Sequence, residues 1–127
     1  MIQSDLDLFG TQAQRLASHT VLLPGFALAE IEPLLDALRP VLRAAPLRHM
    51  RTPGGLHMAV ALTNCGALGW VSDAKGYRYS PTDPVSGSPW PALPPVLLDL
   101  AGRAAAAAGF EAFVPDACLV NHYLPGT

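Results

Sequence analysis

The segment MRTPGGLHMAVALTNCGALGWVSDAKGYRY, residues 50–79, decides how the middle of this chain folds. Its Pro53-Gly54-Gly55 run predicts the turn of a β-hairpin over Met50–Asn64, because glycine tolerates the positive φ angles that tight hairpin turns require. Further along, single glycines divide the segment into short stretches that we interpret as loops. These glycines are Gly66, Gly69 and Gly76.

Three aromatic side chains lie close to these glycines, namely Trp70, Tyr77 and Tyr79. The two tyrosines alternate around Arg78, so in an extended segment both rings face one way and Arg78 faces the other. Aromatic faces on a basic segment suit stacking on an exposed nucleic-acid base, with the arginine at a phosphate. The alternative is that one or more of these rings packs into a core.

The bulk composition indicates an ordered protein without an overall basic character. Half of its 127 residues are hydrophobic, 14% are charged and the net charge is −2, so we expect one domain or part of one. Between residues 39 and 79, however, six basic residues stand against the single acid Asp73. Such a local patch can contact phosphates, although solvated side chains on loops explain it equally well.

The rest of the chain predicts two helices and two short strands, joined by a proline-rich connection. The predicted segments are a polar lead-in over 1–18, a buried strand over 21–23, a helix over 26–45, an extended connection over 80–95, a helix over 96–108 and a last strand over 118–124. We expect Pro40 to kink or end the first helix, Trp90 to anchor the connection by packing, and Gly109 to end the second helix.

The cysteines, the histidines and the N-terminal residues do not predict a disulfide, a metal site or a targeting segment. Cys65 and Cys118 are expected as two reduced thiols, a disulfide being the less favoured alternative. The four histidines show neither HxD, HxxxH nor HExxH spacing, so we predict no metal site. The acidic start lacks signal-peptide features, and no apolar run reaches the roughly 20 residues of a membrane span, so we expect a cytoplasmic protein.

The pattern GxHMAVALTNCGxLGWVSDxxGYRYSPxDPxSGxPWP, over residues 55–91, resembles the nucleotide-recognition lid of the AlkB family of Fe(II)/2-oxoglutarate-dependent DNA-dealkylating dioxygenases. The resemblance implies an α+β fold, with N-terminal helices and a lid hairpin leading into the first strands of an incomplete double-stranded β-helix (jelly roll). Residues 19–127 would be the N-terminal part of the domain, with the lid at about 48–92. The C-terminal catalytic part would be absent.

The same resemblance implies roles for particular residues. Trp70 would stack near the damaged base, while Tyr77, Arg78 and Tyr79 would contact the flipped nucleotide and its phosphates. Thr52 and Met58 fall where the family lines its base pocket. His57 lies on the lid hairpin and is a weaker candidate for a substrate contact.

The last strand contains a second family feature, Asn121-His122-Tyr123. Alternation in a strand places Leu119, Asn121 and Tyr123 on one face and His122 on the other. In AlkB-like enzymes an Asn and a Tyr at this spacing bind 2-oxoglutarate, so Asn121 and Tyr123 are the candidate cofactor-binding residues. His122 replaces the arginine that the family often has between them.

The resemblance therefore implies an oxidative demethylase that repairs N-alkylated bases of the 1-methyladenine and 3-methylcytosine type, releasing formaldehyde. Its partner would be alkylated DNA, single-stranded or with a flipped base, although RNA remains open. We expect no membrane partner and see no signal for an oligomer. Because the family's iron ligands would lie beyond Thr127, we expect this chain alone to be inactive. The alternatives are a non-catalytic binding module for alkylated or single-stranded nucleic acid and a relic that no longer folds.

Overall fold

Three separate two-stranded antiparallel sheets and two α-helices make up the computed structural model, which describes residues 12–127. In chain order the elements are β1 (Gln14–Ala17), β2 (Thr20–Leu22), a 3-10 turn (Leu28–Glu30), α1 (Ile31–Ala44), β3 (Ala61–Gly66), β4 (Gly69–Asp73), β5 (Gly76–Ser80), α2 (Pro95–Ala107) and β6 (Ala117–His122). The sheets are β1–β2, β3–β6 and β4–β5. The chain is thus a mixed helix and strand fold, as predicted.

The N-terminal sheet differs from its prediction. The strand expected over 21–23 is present as β2, but it is largely exposed, with Leu22 at 47%. Its partner β1 lies inside the segment that we expected to be a lead-in, of which residues 1–11 fall outside the described part. A two-stranded hairpin has no second layer to cover its apolar side chains, so the strand forms without becoming buried.

Helix α1 is shorter at its start than the predicted 26–45, because a 3-10 turn occupies Leu28–Glu30. Pro33 lies in the first turn, where an N–H would have no intrahelical partner. Pro40 does not end the helix, which continues to Ala44. Val41, the next residue, is only 4% exposed, so continuing the helix buries an apolar side chain that offsets part of the cost of Pro40.

Helix α2 agrees with its prediction within one residue at each end, running over Pro95–Ala107. Proline suits the first helical position, where its fixed φ is already helical. Gly109 follows the helix with φ +96°, which is a conformation that other residues adopt only with strain. Neither described helix is long and apolar enough to cross a membrane.

The predicted Met50–Asn64 hairpin forms around its turn, and its pairing is irregular beyond it. The amide of Met58 donates to the Met50 carbonyl at 2.7 Å, and Arg51 pairs with His57 in an isolated antiparallel bridge. Gly55 has the predicted positive φ, at +91°. Beyond the turn the chain pairs with the second arm once more, through the antiparallel Arg48–Leu62 bridge. From Ala61 onward the second arm is β3, whose other edge pairs with β6 at the far end of the chain.

The core lies beneath β3, β4 and the proline-rich connection. Its buried cluster consists of Ala45, Met50, Leu62, Val71 and Trp90. Trp90 is 5% exposed and its indole N–H donates to the Ser80 carbonyl at 3.0 Å, which confirms its role as a packing anchor. Gly69 passes directly over this ring, since a Cβ there would lie 2.4 Å from two ring atoms. Only glycine permits such a close approach.

Candidate functional site

The three candidate rings lie on strands and not on loops, which corrects the sequence prediction. Trp70 is on β4, and Tyr77 and Tyr79 are on β5. The glycines lie at the ends of strands and not within loops. The residues between them form strands because they pair with a neighbouring strand, which the local sequence does not show. Tyr79 is opposite Trp70, and Tyr77 is opposite Ser72. Since directly opposed residues share a face, all three rings lie on one face of the hairpin.

Two of the three rings also contact each other. Trp70 and Tyr77 stack with centroids 5.7 Å apart and ring planes 17° from parallel. Tyr77 and Tyr79 are each 63% exposed, whereas Trp70 packs partly against the core. The hairpin therefore presents an aromatic surface on which Trp70 and Tyr77 stack and whose inner end, Trp70, packs partly against the core.

Two buried polar side chains position this hairpin, and the sequence analysis missed both. The Asn64 amide donates to the Trp70 carbonyl and accepts from the Trp70 N–H, both at 3.0 Å. The Ser72 hydroxyl donates to the Arg51 carbonyl at 2.7 Å. Asn64 is fully buried, so losing either bond would leave a polar atom without a partner in the interior. The one available signal was a polar Thr63-Asn64 pair inside an otherwise apolar strand.

An open cavity of about 400 Å³ lies between the aromatic face and β6. Its lining residues are Met58, Val60, Leu62, Trp70, Tyr79, Leu119, Asn121 and Tyr123. The lining is mostly apolar and aromatic, and the polar side-chain groups of its residues are the amide of Asn121, the hydroxyls of the two tyrosines and the indole N–H of Trp70. Among residues 12–127, no lysine, arginine or carboxylate lines it.

The two candidate cofactor residues are neighbours at one side of this cavity. The Asn121 amide donates to the Tyr123 hydroxyl at 3.2 Å. Asn121 is opposite Leu62 in the β3–β6 register, and Tyr123 follows the end of β6. His122 is absent from the lining and contributes, with His49, to a separate cavity of about 240 Å³. This placement agrees with the predicted alternation of Asn121 and His122.

Arg78 is already engaged by a carboxylate. Its two terminal nitrogens donate to the two oxygens of Asp73 at 2.8 and 2.9 Å, on the hairpin face opposite the rings. The hydrogen bond from Arg78, together with the Lys75 amide, lowers the pKa of Asp73 to about 2. The carboxylate is therefore ionised and paired with Arg78 at neutral pH.

The basic segment is partly neutralised elsewhere as well. Arg48 makes a bidentate pair with Asp83 at 2.7 and 2.9 Å, and its guanidinium lies 5.3 Å from the Trp90 ring centroid. Arg39 pairs with Asp36 at 3.5 Å. The structure thus pairs three of the six cations of the segment with carboxylates, two of which lie outside it.

Thr52 and His57 lie in the hairpin turn and do not line the cavity. The Thr52 hydroxyl accepts from the Leu56 amide at 3.1 Å, so this side chain stabilises the turn. Met58, by contrast, leaves the turn and reaches the cavity wall. The structure therefore gathers Met58, Trp70, Tyr79, Asn121 and Tyr123 around one space, and it leaves Thr52, Tyr77 and Arg78 outside it.

The chain is similar in sequence to known proteins. A sequence model described as the 2OG-Fe(II) oxygenase superfamily matches residues 19–127. The chain belongs to the 2OG-Fe(II) oxygenase superfamily. It is 48% identical over 124 residues to the alpha-ketoglutarate-dependent dioxygenase AlkB of Salmonella typhimurium, and equally to that of Escherichia coli. It is 41% identical over 120 residues to the AlkB homolog of Caulobacter vibrioides.

The alignments cover most of this chain but only part of each relative. They cover 95% of this chain but 57% of the Salmonella and Escherichia proteins, and 89% of this chain but 53% of the Caulobacter protein. The chain therefore spans a little over half the length of the curated relatives it matches. The resemblance to the AlkB family drawn from the sequence is confirmed.

The superfamily uses Fe(II) and 2-oxoglutarate, as predicted. The described residues include hydrogen-bond donors suited to 2-oxoglutarate but no set of ligands for the iron. Iron in such enzymes needs two histidines and a carboxylate. Within residues 12–127 no group of three or more His, Cys, Asp or Glu side chains lies close enough together to hold a metal. Asn121 and Tyr123 offer hydrogen-bond donors for an oxygen-rich ligand, but the described lining of their cavity includes no lysine or arginine that would balance its charge. The described part therefore does not hold the iron.

Proposed function

We propose that this chain forms the base-recognition part of an AlkB-like oxidative demethylase, and that its cavity receives an N-alkylated base. The complete enzyme would hydroxylate the alkyl carbon of 1-methyladenine or 3-methylcytosine in DNA and release formaldehyde. The observation that supports this proposal is the meeting of lid residues Met58, Trp70 and Tyr79 with Asn121 and Tyr123 around one open cavity.

The chemistry of the cavity suits such a base. A ring nitrogen that carries a methyl group leaves the base with a positive charge, and electron-rich aromatic faces attract cations. Trp70 and Tyr79 supply those faces, and the part of the chain that the structure describes places no cationic side chain in the lining to repel the base. Alkylation also weakens base pairing, which lowers the cost of moving the base out of a duplex.

The rigidity of the aromatic face supports recognition too. Asn64 fixes the start of β4 through two hydrogen bonds, and Gly69 rests against the buried Trp90. A surface that is ordered before binding pays less conformational entropy when the ligand arrives. Tyr77 lies at the outer end of this surface, where it would contact a nucleotide next to the flipped base.

At the level of the domain, we place the recognition lid at about residues 48–92 and take β3 and β6 as the first strands of a jelly roll. Residues 19–127 would be the N-terminal part of the catalytic domain, which the 57% coverage of the relatives supports. The iron ligands would come from outside residues 12–127, and this chain alone would not oxidise a base. Two free cysteines are consistent with a cytoplasmic location.

Fluorescence anisotropy with a labelled single-stranded oligonucleotide tests the proposal directly. The full chain is titrated against an oligonucleotide containing one 1-methyladenine and against the same oligonucleotide with adenine. We expect the methylated form to bind about 2- to 30-fold more tightly, the range of a cation–π contribution. The same preference should persist in an unlabelled competition assay.

Two variants identify where the preference arises. Trp70→Ala removes the anchored aromatic face and should abolish the preference, whereas Phe110→Ala removes an exposed ring outside the cavity and should leave it unchanged. Equal affinity of the unaltered chain for both oligonucleotides would contradict the proposal.

A second candidate function is a binding module that retains alkylated or single-stranded nucleic acid without repairing it. It is favoured by the fact that described residues of this chain assemble the cavity by themselves. Formaldehyde release from the methylated oligonucleotide with added Fe(II) and 2-oxoglutarate separates catalysis from binding. Release by this chain alone would refute both the expected inactivity and the binding-module function.

A further inference from the structure

Cys65 and Cys118 face each other across the β3–β6 sheet, although they are distant in sequence. Leu62 exchanges both of its backbone hydrogen bonds with Arg48, on the side of β3 away from β6. Because hydrogen-bonding direction alternates along a strand, Cys65 points its N–H and C=O toward β6. Cys65 and Cys118 therefore form a hydrogen-bonded pair, with Cα atoms about 5.5 Å apart.

This spacing falls within the Cα range of about 4.4–6.8 Å that a disulfide spans. The pair can thus be bridged without separating the strands. Its Cβ atoms, about 5 Å apart in such pairs, must approach to about 3.8 Å. Closing the bond would therefore draw β3 and β6 together locally.

The two thiols differ in surroundings. Cys65 is fully buried, whereas Cys118 is partly exposed and lines an apolar groove of about 400 Å³ against α2, together with Leu97, Leu100 and Phe113. A hydrogen bond from the Cys65 thiol lowers the pKa of Cys118 to about 7. The same contact and burial raise the pKa of Cys65. Cys118 is thus the thiol that ionises first, and a small oxidant can reach it through the groove.

We propose that Cys65 and Cys118 form an oxidation-responsive dithiol that peroxides convert into a cross-strand disulfide. Nothing in this proposal depends on the base-recognition function. It depends on the register of β3 and β6 and on the unequal exposure of the two sulfur atoms.

The reaction has two steps. The Cys118 thiolate attacks one peroxide oxygen, an S–O bond forms as the O–O bond breaks, and the released hydroxide takes a proton, leaving a sulfenic acid and water. The Cys65 sulfur then attacks the sulfenic sulfur, the S–O bond breaks, and the Cys65 proton leaves with the hydroxyl group as a second water. Two thiols lose two electrons in total, and one peroxide is reduced to two waters.

Intact mass spectrometry of the full chain tests this directly. The reduced protein is exposed to hydrogen peroxide at neutral pH, treated with iodoacetamide and weighed with and without dithiothreitol. We expect a monomer that has lost two hydrogens, about 2 Da, that resists alkylation, and that regains both thiols with dithiothreitol. Alkylation of both thiols after this exposure, or disulfides only between chains, would overturn the proposal.

Variants and a pH profile assign the roles of the two cysteines. In Cys65→Ser the reaction should stop at a sulfenic acid on Cys118, detected as one added oxygen of about 16 Da and trapped by dimedone. Cys118→Ser should resist the same peroxide dose, and oxidation of Cys65 in that variant would contradict the order of steps. If the buried substitution prevents folding, the unaltered chain still decides. Its Cys118 alkylation rate should rise with a midpoint near pH 7, and a midpoint near the ordinary value of about 8.5 would count against the mechanism.

Discussion

Removing the charge of Arg48 should destabilise this protein more than any surface substitution, because it would leave a buried carboxylate without its partner. Asp83 is 2% exposed and receives two hydrogen bonds from Arg48, at 2.7 and 2.9 Å. Arg48→Met preserves the aliphatic length beside Trp90 and removes the guanidinium. Breaking one side of a buried ion pair costs about 3–5 kcal/mol, a large share of the typical total stability of about 5–15 kcal/mol.

The stability difference between the unaltered chain and Arg48→Met should depend on pH in a definite direction. Burial by itself raises the pKa of Asp83, but the hydrogen bonds from Arg48 and the Val85 amide bring it below its usual value. In the unaltered chain this pair contributes stability above the ordinary Asp pKa, and that contribution is lost as the pH falls through the lower folded pKa. In Arg48→Met only burial and the backbone bonds remain, so the Asp83 pKa rises and protonation relieves the cost. The difference between the two proteins should therefore shrink from pH 7 toward about pH 4, the ordinary Asp value.

Urea unfolding followed by tryptophan fluorescence measures both quantities, since Trp90 lies beside the pair. Asp83→Asn combined with Arg48→Met should cost less than the sum of the single changes, because no charge is then left unpaired. The matched control is Arg39→Met, whose partner Asp36 is 3.5 Å away and whose side chains are about 70% exposed. It should change stability by at most about 1 kcal/mol. A loss below about 1 kcal/mol for Arg48→Met at pH 7, or a difference independent of pH, would refute the reasoning.

Two further predictions concern the aromatic hairpin. Because Arg78 is engaged by Asp73 on the face opposite the rings, Arg78→Ala should leave the salt dependence of oligonucleotide binding unchanged, whereas Asp73→Asn should free the guanidinium and tighten binding at low salt. A fall of about 0.7 in the slope of log K against log salt for Arg78→Ala would instead show a phosphate contact in the bound state. Gly69→Ala should destabilise the protein by about 1–3 kcal/mol or more, since its Cβ would lie 2.4 Å from the buried Trp90 ring. Gly54→Ala, whose nearest atom would be 3.9 Å away, serves as the control in the same urea unfolding experiment, and equal effects of the two changes would contradict the packing argument.

Features that depend on nearby residues could be read from the sequence. The bounds of α2 follow from Pro95 at its start and Gly109 after its end. The common face of Tyr77 and Tyr79, with Arg78 opposite, follows from the two-residue period of a strand. The packing of Trp90 could also be predicted, because it is a large ring in a stiff connection that has few other apolar side chains to bury.

Features that depend on residues distant in the sequence could not be predicted from the sequence. Gly66 and Gly69 looked like loop glycines because nothing local shows that β3 pairs with a strand some fifty residues away, or that Gly69 lies under an indole ring. The basic segment looked free because one of the carboxylates that neutralise it, Asp83, lies outside it.

By itself, therefore, the amino-acid sequence determined the family and the bounds of α2 to within one residue, since each depends on residue type and short-range spacing, and it supplied the candidate residues for base recognition. Only the tertiary structure decided which of these residues share the cavity and that Arg78 is already paired. It also decided that Cys65 meets Cys118. Each of these rests on contacts between residues brought together by sheet pairing and burial, and local sequence does not encode the partner of a strand.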